Sequence, residues 1–469
     1  MKTRKIATKG TKGIFLCLLW LFPCFGADSR PPLVDAAKKG DREAVRSLLK
    51  QTNANVTEAD GTTALHWASY RDDLETADLL IRAGAKANMA NDLGATPLWA
   101  ACQNGSEAMA RRLLAADANP NAKLLSGETL LMVASRTGNP AVVEQLLAKG
   151  ADVNARATRN QTALMWAVAQ EHPEVVKVLL AHHADVHAKS DAWTYVMGTS
   201  PHGYLEYNRA VPHGQDTPLL FAARVGDLES AKLLVAAGAD INEADAWGIS
   251  TTVLAAHSGF TDVVAFLLDK GADPNAAKAG FTALHEAIMR RDEKTVATLL
   301  DHGADANAPL RTWTPTRRTS KDWNFEPELV GATPFWLASR FTEPNIMRLL
   351  LKHGADPLFV LKSDKVVEGR NGTAFDHQKE TTTALLAATG FGRGGNPWVD
   401  VDRAQREPLA LEAVKVAVDA GIDINATTAD GRTALDGART LRFDSVVKFL
   451  TEKGAKAGTG GGRGARQTR

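Results

Sequence analysis

Thr63-Ala64-Leu65-His66, Thr96-Pro97-Leu98-Trp99, Thr129-Leu130-Leu131-Met132 and Thr162-Ala163-Leu164-Met165 repeat one pattern at a spacing of 33 residues. Each is a threonine, a small or apolar residue, and a leucine. A fixed period of this size marks a solenoid, in which each unit buries its apolar face only by stacking on its neighbours. The beat then continues with interruptions. Thr217 to Ser250 is 33 and Ser250 to Thr282 is 32, but Thr162 to Thr217 is 55, Thr282 to Thr333 is 51, and Thr333 to Thr383 and Thr383 to Thr433 are 50 each. The period persists, and the excess is inserted chain.

Each copy has a second half. Val142, Val143, Leu146 and Leu147 form an apolar face at helical spacing, and Gly150-Ala151-Asp152-Val153-Asn154-Ala155 follows. Comparable endings lie at Gly84–Asn88, Gly238–Asn242, Gly271–Asn275, Gly303–Asn307 and Gly421–Asn425. The glycine suits a left-handed helix cap, and Asp and Asn suit the turn beyond it.

These starts and endings together closely resemble the ankyrin-repeat family, from about Pro32 to about Ala457. The resemblance implies an all-α solenoid of paired antiparallel helices with hairpin loops projecting sideways, and a concave groove lined by loop tips and first helices. It also implies that His66 and His285 hold their turns by hydrogen bonds, while the repeat-opening threonines cap the first helices. The other copies replace this histidine with Trp99, Met132, Met165, Leu220, Val253, Trp336, Leu386 and Asp436, which argues against chemistry at that position.

On this pattern the chain divides into a degenerate cap (31–58), repeats (59–189), an insertion (190–215), repeats (216–308), an insertion (309–330), a repeat (331–357), an insertion (358–381), a split repeat (382–426) interrupted at 390–408, and a last repeat (427–457). Residues 458–469 are a Gly/Arg tail expected to be disordered. Residues 1–27 read differently. Lys2, Arg4, Lys5, Lys9 and Lys12 precede an apolar run from Ile14 to Phe22, too short to span a membrane, in the order of a secretory signal. Localisation is therefore expected to be periplasmic or secreted.

Removing such a signal takes five of the 55 basic residues and none of the 54 acidic ones, leaving a net charge of about −4 and no global pull on nucleic acid. It also removes Cys17 and Cys24, so Cys102 has no intramolecular disulfide partner. No nucleophile elbow, paired-carboxylate signature or dinucleotide fingerprint stands out. The expectation is no enzyme, no cofactor and no metal. The Gly390–Gly395 run lacks the strand and the Lys-Ser or Lys-Thr of a phosphate loop. Six histidines between His172 and His213 raise zinc, but no metal-ligand spacing supports it, and His182, His302 and His353 share one slot at a helix end, where a cation suits the dipole.

Two sets of residues are candidates for partner binding. The first is the pair of positions before the mid-repeat glycine, which contribute Tyr70, Arg71, Arg136, Arg224, His257, Arg290 and Arg340 to a discontinuous Arg ladder facing an acidic or carboxylate-bearing partner. The alternative is that these arginines are solvated or pair with acidic loop residues such as Asp60, Asp92 and Asp245. The second set is the aromatic residues on loops, Trp193, Tyr204, Trp247, Trp313 and Trp323, which either grip a partner or fold back to plug the flank of the stack.

The function expected first is a non-catalytic protein-protein interaction scaffold exported across a membrane. It would be a monomer with capped ends, without nucleic acid and without a membrane span after cleavage. The alternatives are a small-ligand or metal-binding protein or enzyme, its pocket formed by the insertions at 190–215 and 309–330, and an exported effector acting on host proteins.

Overall fold

The computed structural model describes residues 30–197, 209–314, 325–368, 375–391 and 401–460. The signal reading, Tyr204, Trp323 and most of the tail lie outside these residues. The chain forms two compact units, one ending at Asn119 and the other beginning at Pro120.

In the first unit the helices are α1 (Pro32–Lys39), α2 (Arg42–Leu48), α3 (Ala64–Tyr70), α4 (Leu74–Arg82), α5 (Pro97–Asn104) and α6 (Glu107–Ala115). First helices pack on first helices (α1 on α3, α3 on α5), and each packs on its own second helix. The core is small and aliphatic: Leu33, Leu65, Ala68, Leu80, Leu98, Met109 and Leu113 are wholly buried. Cys102 belongs to it, and burial pushes its thiol up to about 12, so it is an inert packing residue.

The second unit continues with α7 (Leu130–Thr137), α8 (Pro140–Ala148), α9 (Ala163–Ala169), α10 (Pro173–Ala181), strands β1 (Ala192–Met197) and β2 (Arg209–Gly214), α11 (Pro218–Val225), α12 (Leu228–Ala236), α13 (Thr251–Ser258), α14 (Thr261–Asp269), α15 (Ala283–Met289) and α16 (Glu293–Asp301). It ends with α17 (Pro334–Arg340), α18 (Pro344–Lys352), β3 (Val360–Glu368), β4 (Phe375–Thr383), α19 (Ala384–Ala388), α20 (Arg403–Asp419), α21 (Ala434–Leu441) and α22 (Asp444–Glu452). The same first-on-first stacking runs α7, α9, α11, α13, α15, α17, α19.

The threonine reading holds in atomic detail. Thr63, Thr96, Thr129, Thr162, Thr217, Ser250, Thr282 and Thr383 each accept the backbone N–H three residues on. His66 adds its imidazole: Nδ1 takes the Thr63 N–H (3.1 Å), and Nε2 meets the Ala95 carbonyl of the next repeat (2.9 Å). Two substituted copies divide this work. Asp436 accepts the Thr433 N–H (2.9 Å), and the Trp336 indole N–H donates to the Thr382 carbonyl (3.2 Å), the equivalent position of its next repeat.

The Asp and Asn of the endings have separate jobs. The Asp side chain closes the local turn, as Asp152 does for the Asn154 N–H (3.0 Å). The Asn side chain spans repeats. Asn154 donates to the His183 carbonyl (3.2 Å) and accepts from the Asp185 N–H (2.8 Å), and Asn275 and Asn307 repeat the clamp on Gly303 with Asp305 and on Gly354 with Asp356. Where His187 and Leu358 stand in that slot, no such clamp is formed among the described residues. Both of these positions lead into β-hairpins.

Those hairpins are the main addition to the all-α expectation. The insertion at 190–215 is an antiparallel pair with Trp193 opposite His213 and Tyr195 opposite Val211. The insertion at 358–381 pairs Val360 through Glu368 with Thr383 through Phe375. The interruption at 390–408 is shorter than expected at its far end, because α20 already begins at Arg403 and carries Pro408 within it.

Candidate functional site

The Arg ladder dissolves into three structural arrangements, each set by register. In the first, Arg136 pairs with Glu128 (2.8 Å) and Arg224 with Asp216 (2.6 Å). In both, the acid immediately precedes the capping threonine and the arginine lies seven residues beyond that threonine, the acid on the loop and the arginine on the first helix of the same repeat. That acid-Thr-x6-Arg spacing was visible in the sequence and was missed; the acids named as possible partners, Asp60, Asp92 and Asp245, are not the ones used here. Arg136 also lies over the Trp166 ring (5.2 Å to its centroid) and Arg224 over Phe221 (5.5 Å).

In the second arrangement the long side chain reaches back one repeat to helix-end carbonyls that have no partner inside their own helix. Arg71 donates to the Lys38 carbonyl (3.3 Å), and Arg290 to the His257 carbonyl (2.9 Å). Asn104 does the same to Ser69 and Tyr70, and His172 meets the Arg136 carbonyl. Tyr70 remains more than half exposed, edge-on to Trp67.

The third arrangement is burial. His257 meets Glu286 (3.0 Å), with side chains only 11% and 1% exposed. Arg340 is enclosed, and burial lowers its guanidinium below the ordinary value despite Glu326 and Glu380 nearby. Those two acids belong to the insertion at 309–330 and to β4, so Arg340 faces this chain's own added segments.

The loop aromatics divide. Phe325 is 1% exposed, with its ring 5.0 Å from Phe281 and 6.3 Å from His285. Trp247 stands edge-on to the same Phe281 (6.0 Å), and Trp313 is half-buried. This group plugs the stack. Trp193 differs: it is 39% exposed, stacked on His213 (5.8 Å, 24° between planes) with the Arg159 guanidinium 4.8 Å from its centroid. Gly214 makes that stack possible. Its φ is +86°, and a Cβ there would lie 2.7 Å from the Trp193 ring.

The histidine-rich stretch disperses. His182 pairs with Glu144 (3.1 Å), and the same slot pairs His302 with Asp269 (3.1 Å) and His353 with Asp301 (3.6 Å), each acid one repeat earlier. Among the described residues no group of three or more His, Cys, Asp or Glu is placed to hold a metal ion. An open depression of about 280 Å³ is lined by Gly226, Phe260, Thr261, Asp262 and Lys294. Its two charged groups, Lys294 and Asp262, pair with each other at the surface (3.1 Å).

Carboxylates cluster at the root of the β1–β2 hairpin. Burial raises Glu243 to about 7, against the hydroxyl bond from Thr217, and raises Asp245 to about 6. A carboxyl raised on folding binds its proton more tightly in the folded chain. Its penalty is absent below the unfolded value near 4.5 and is complete above about 7, so stability falls as pH rises through that window. Glu243→Gln keeps an acceptor for Thr217 and removes the titration. We expect the variant to melt with the wild type at pH 5 and several degrees above it at pH 8, by calorimetry. Equal melting at both pH values would show that Glu243 carries no such penalty.

Comparison with known proteins follows the same lines. The family model described as ankyrin repeats (3 copies) matches residues 33–124, 117–190 and 216–309, and the model for a single ankyrin repeat matches 330–361. The chain is 30% identical over 271 residues to the E3 ubiquitin-protein ligase KEG of Arabidopsis thaliana, a match that covers 54% of this chain and only 16% of that protein. It is also similar to the crystal structure of the human ASB11 ankyrin repeat domain, at 28% identity over 52% of this chain and all of that one, with a TM-score of 0.43.

Proposed function

The chain belongs to the ankyrin-repeat family, and we propose that it is an exported, non-catalytic scaffold that holds a protein partner. Ankyrin repeats indicate protein-protein interaction in general. Among the described residues no helix is long and apolar enough to cross a membrane. The observation that carries the finer reading is the β1–β2 hairpin. It adds Trp193, Tyr195 (49% exposed) and Val196 (64% exposed) to the loop side of the repeats, where nothing in the scaffold requires large apolar groups at the surface.

Export rests on the basic and apolar order of residues 1–27. A fusion of these residues to a reporter enzyme that works only outside the cytoplasm is expected to be secreted and shortened at its N-terminus. An uncleaved, intracellular reporter would remove the export reading. For partner binding, cross-linking in the exporting compartment is expected to yield one dominant partner. A169E, which places a charge on the first-helix row between Arg136 and Arg224, should reduce its yield if the partner lies in the groove.

A further inference from the structure

Arg159 is a surface cation to which the repeat scaffold gives no carboxylate. It stands exposed at a hairpin tip and makes no ion pair among the described residues. Its backbone is left-handed (φ 60°), as is that of Asn160 (φ 59°), at a turn where neighbouring repeats use a single glycine such as Gly127 or Gly248. Two consecutive non-glycine residues in this region are uncommon, and the strain persists only where surrounding structure holds it. Here it brings the guanidinium onto Trp193, which is itself clamped by His213 and Gly214.

The Arg159 Cζ lies 4.8 Å from the Trp193 ring centroid. A guanidinium held against an aromatic ring keeps N–H donors that a carboxylate can take through two parallel hydrogen bonds. The surroundings match that ligand. Tyr195, two residues on from Trp193 and so on the same face of β1, is exposed, and Leu125, 80% exposed, lies on the adjoining tip. The tips are tied together: the Thr158 hydroxyl donates to the Ser126 carbonyl, and the Asp191 N–H to the Arg159 carbonyl (2.9 Å). Lys189 is exposed nearby without an ion pair among the described residues, Arg156 reaches Asp185 only at 3.5 Å, and Asp191 is the acid of the strip. Beyond Asp191 the outer edge of β1 has no strand paired to it among the described residues.

We propose that Leu125, Arg159, Trp193 and Tyr195 form the docking strip for an extended protein segment that presents a carboxylate between apolar side chains. The carboxylate sits on Arg159, the apolar groups cover Trp193 and Tyr195, and the backbone runs along β1. This rests on the scaffold reading and narrows it, moving the acidic-partner site from the first-helix arginines to the hairpin.

The test is selection of random peptides displayed on phage against the full chain, followed by titration of the synthesised winners. The wild type should enrich Asp or Glu flanked by apolar residues. Winners should bind R159Q about tenfold more weakly, the loss of one charge-assisted bidentate contact, and W193S more weakly still. A169E should leave them unchanged, and all three variants should keep the wild-type melting profile. Winners indifferent to R159Q and W193S but weakened by A169E would overturn the strip while leaving the scaffold reading intact. No enrichment at all would count against both. Binding of the chain to phosphatidylglycerol-containing vesicles, lost in R159Q and W193S, would replace the protein segment with a membrane surface.

Discussion

His257→Ala is expected to be among the most destabilising single changes on the first-helix row, costing about 1–3 kcal/mol in chemical denaturation because it leaves a buried carboxyl oxygen without its hydrogen-bond partner. Glu286 is 1% exposed, and His257 meets its Oε2 at 3.0 Å. Glu286 belongs to α15 and His257 to α13, so the pair also joins neighbouring repeats. The control that separates charge from packing is His257→Leu with Glu286→Leu. Replacing both members of a buried pair by apolar groups of similar size is often neutral or better, so the double variant should recover most of the loss. If His257→Ala melts with the wild type, Glu286 is solvated and the pair is dispensable. A surface histidine waiting for a partner would give that result.

Phe325→Ala should cost about 3–5 kcal/mol, the range for emptying a buried aromatic site. The ring packs on Phe281 and His285, which lie in the repeat before the insertion at 309–330. The Thr314 N–H donates to the Phe325 carbonyl (2.9 Å), and the Leu310 N–H to the Ala332 carbonyl (2.9 Å), so the ring closes the base of the inserted loop. Loss of the ring should therefore raise amide exchange first at 310–314 and 325–332. His285 is affected as well. Burial drives its imidazole down to about 4, and its share of stability, complete above about 6.5, is lost as pH falls from 6.5 to about 4. Opening the Phe325 contact should let His285 protonate more easily and reduce the acid sensitivity that burial confers. Unchanged exchange in these segments would show that the insertion is held elsewhere.

Much of this protein was legible before any coordinate. Thr63, Thr129 and Thr282 sit at helix starts because a side-chain oxygen there satisfies an N–H that the helix cannot, and that requirement is local. The same holds for the glycine and aspartate of the endings. The capping threonines and the second-helix apolar faces therefore followed from local pattern, and the resemblance to ankyrin repeats from the start and end motifs that recur with them. Side chains that act across repeats were less legible. Asn154 reads as a turn residue, and only stacking reveals it as a clamp on Asp185. Arg71 and Arg290 read as free groove cations, yet each satisfies carbonyls of the preceding first helix.

By itself the sequence determined the repeat stack, because caps and apolar faces recurring at 33 residues bury their surface by stacking unit on unit; the two β-hairpins within the insertions emerged only in the tertiary structure. The tertiary structure decided which polar groups are already committed. An arginine at the end of a first helix reads as a groove cation in the sequence, yet the one seven residues after its cap, Arg136, meets Glu128, and those eight residues after, Arg71 and Arg290, meet helix-end carbonyls. Packing distances of a few ångströms separate these cases: Arg136 meets Glu128 at 2.8 Å, whereas Arg159 lies 4.8 Å from the Trp193 ring centroid and makes no ion pair among the described residues.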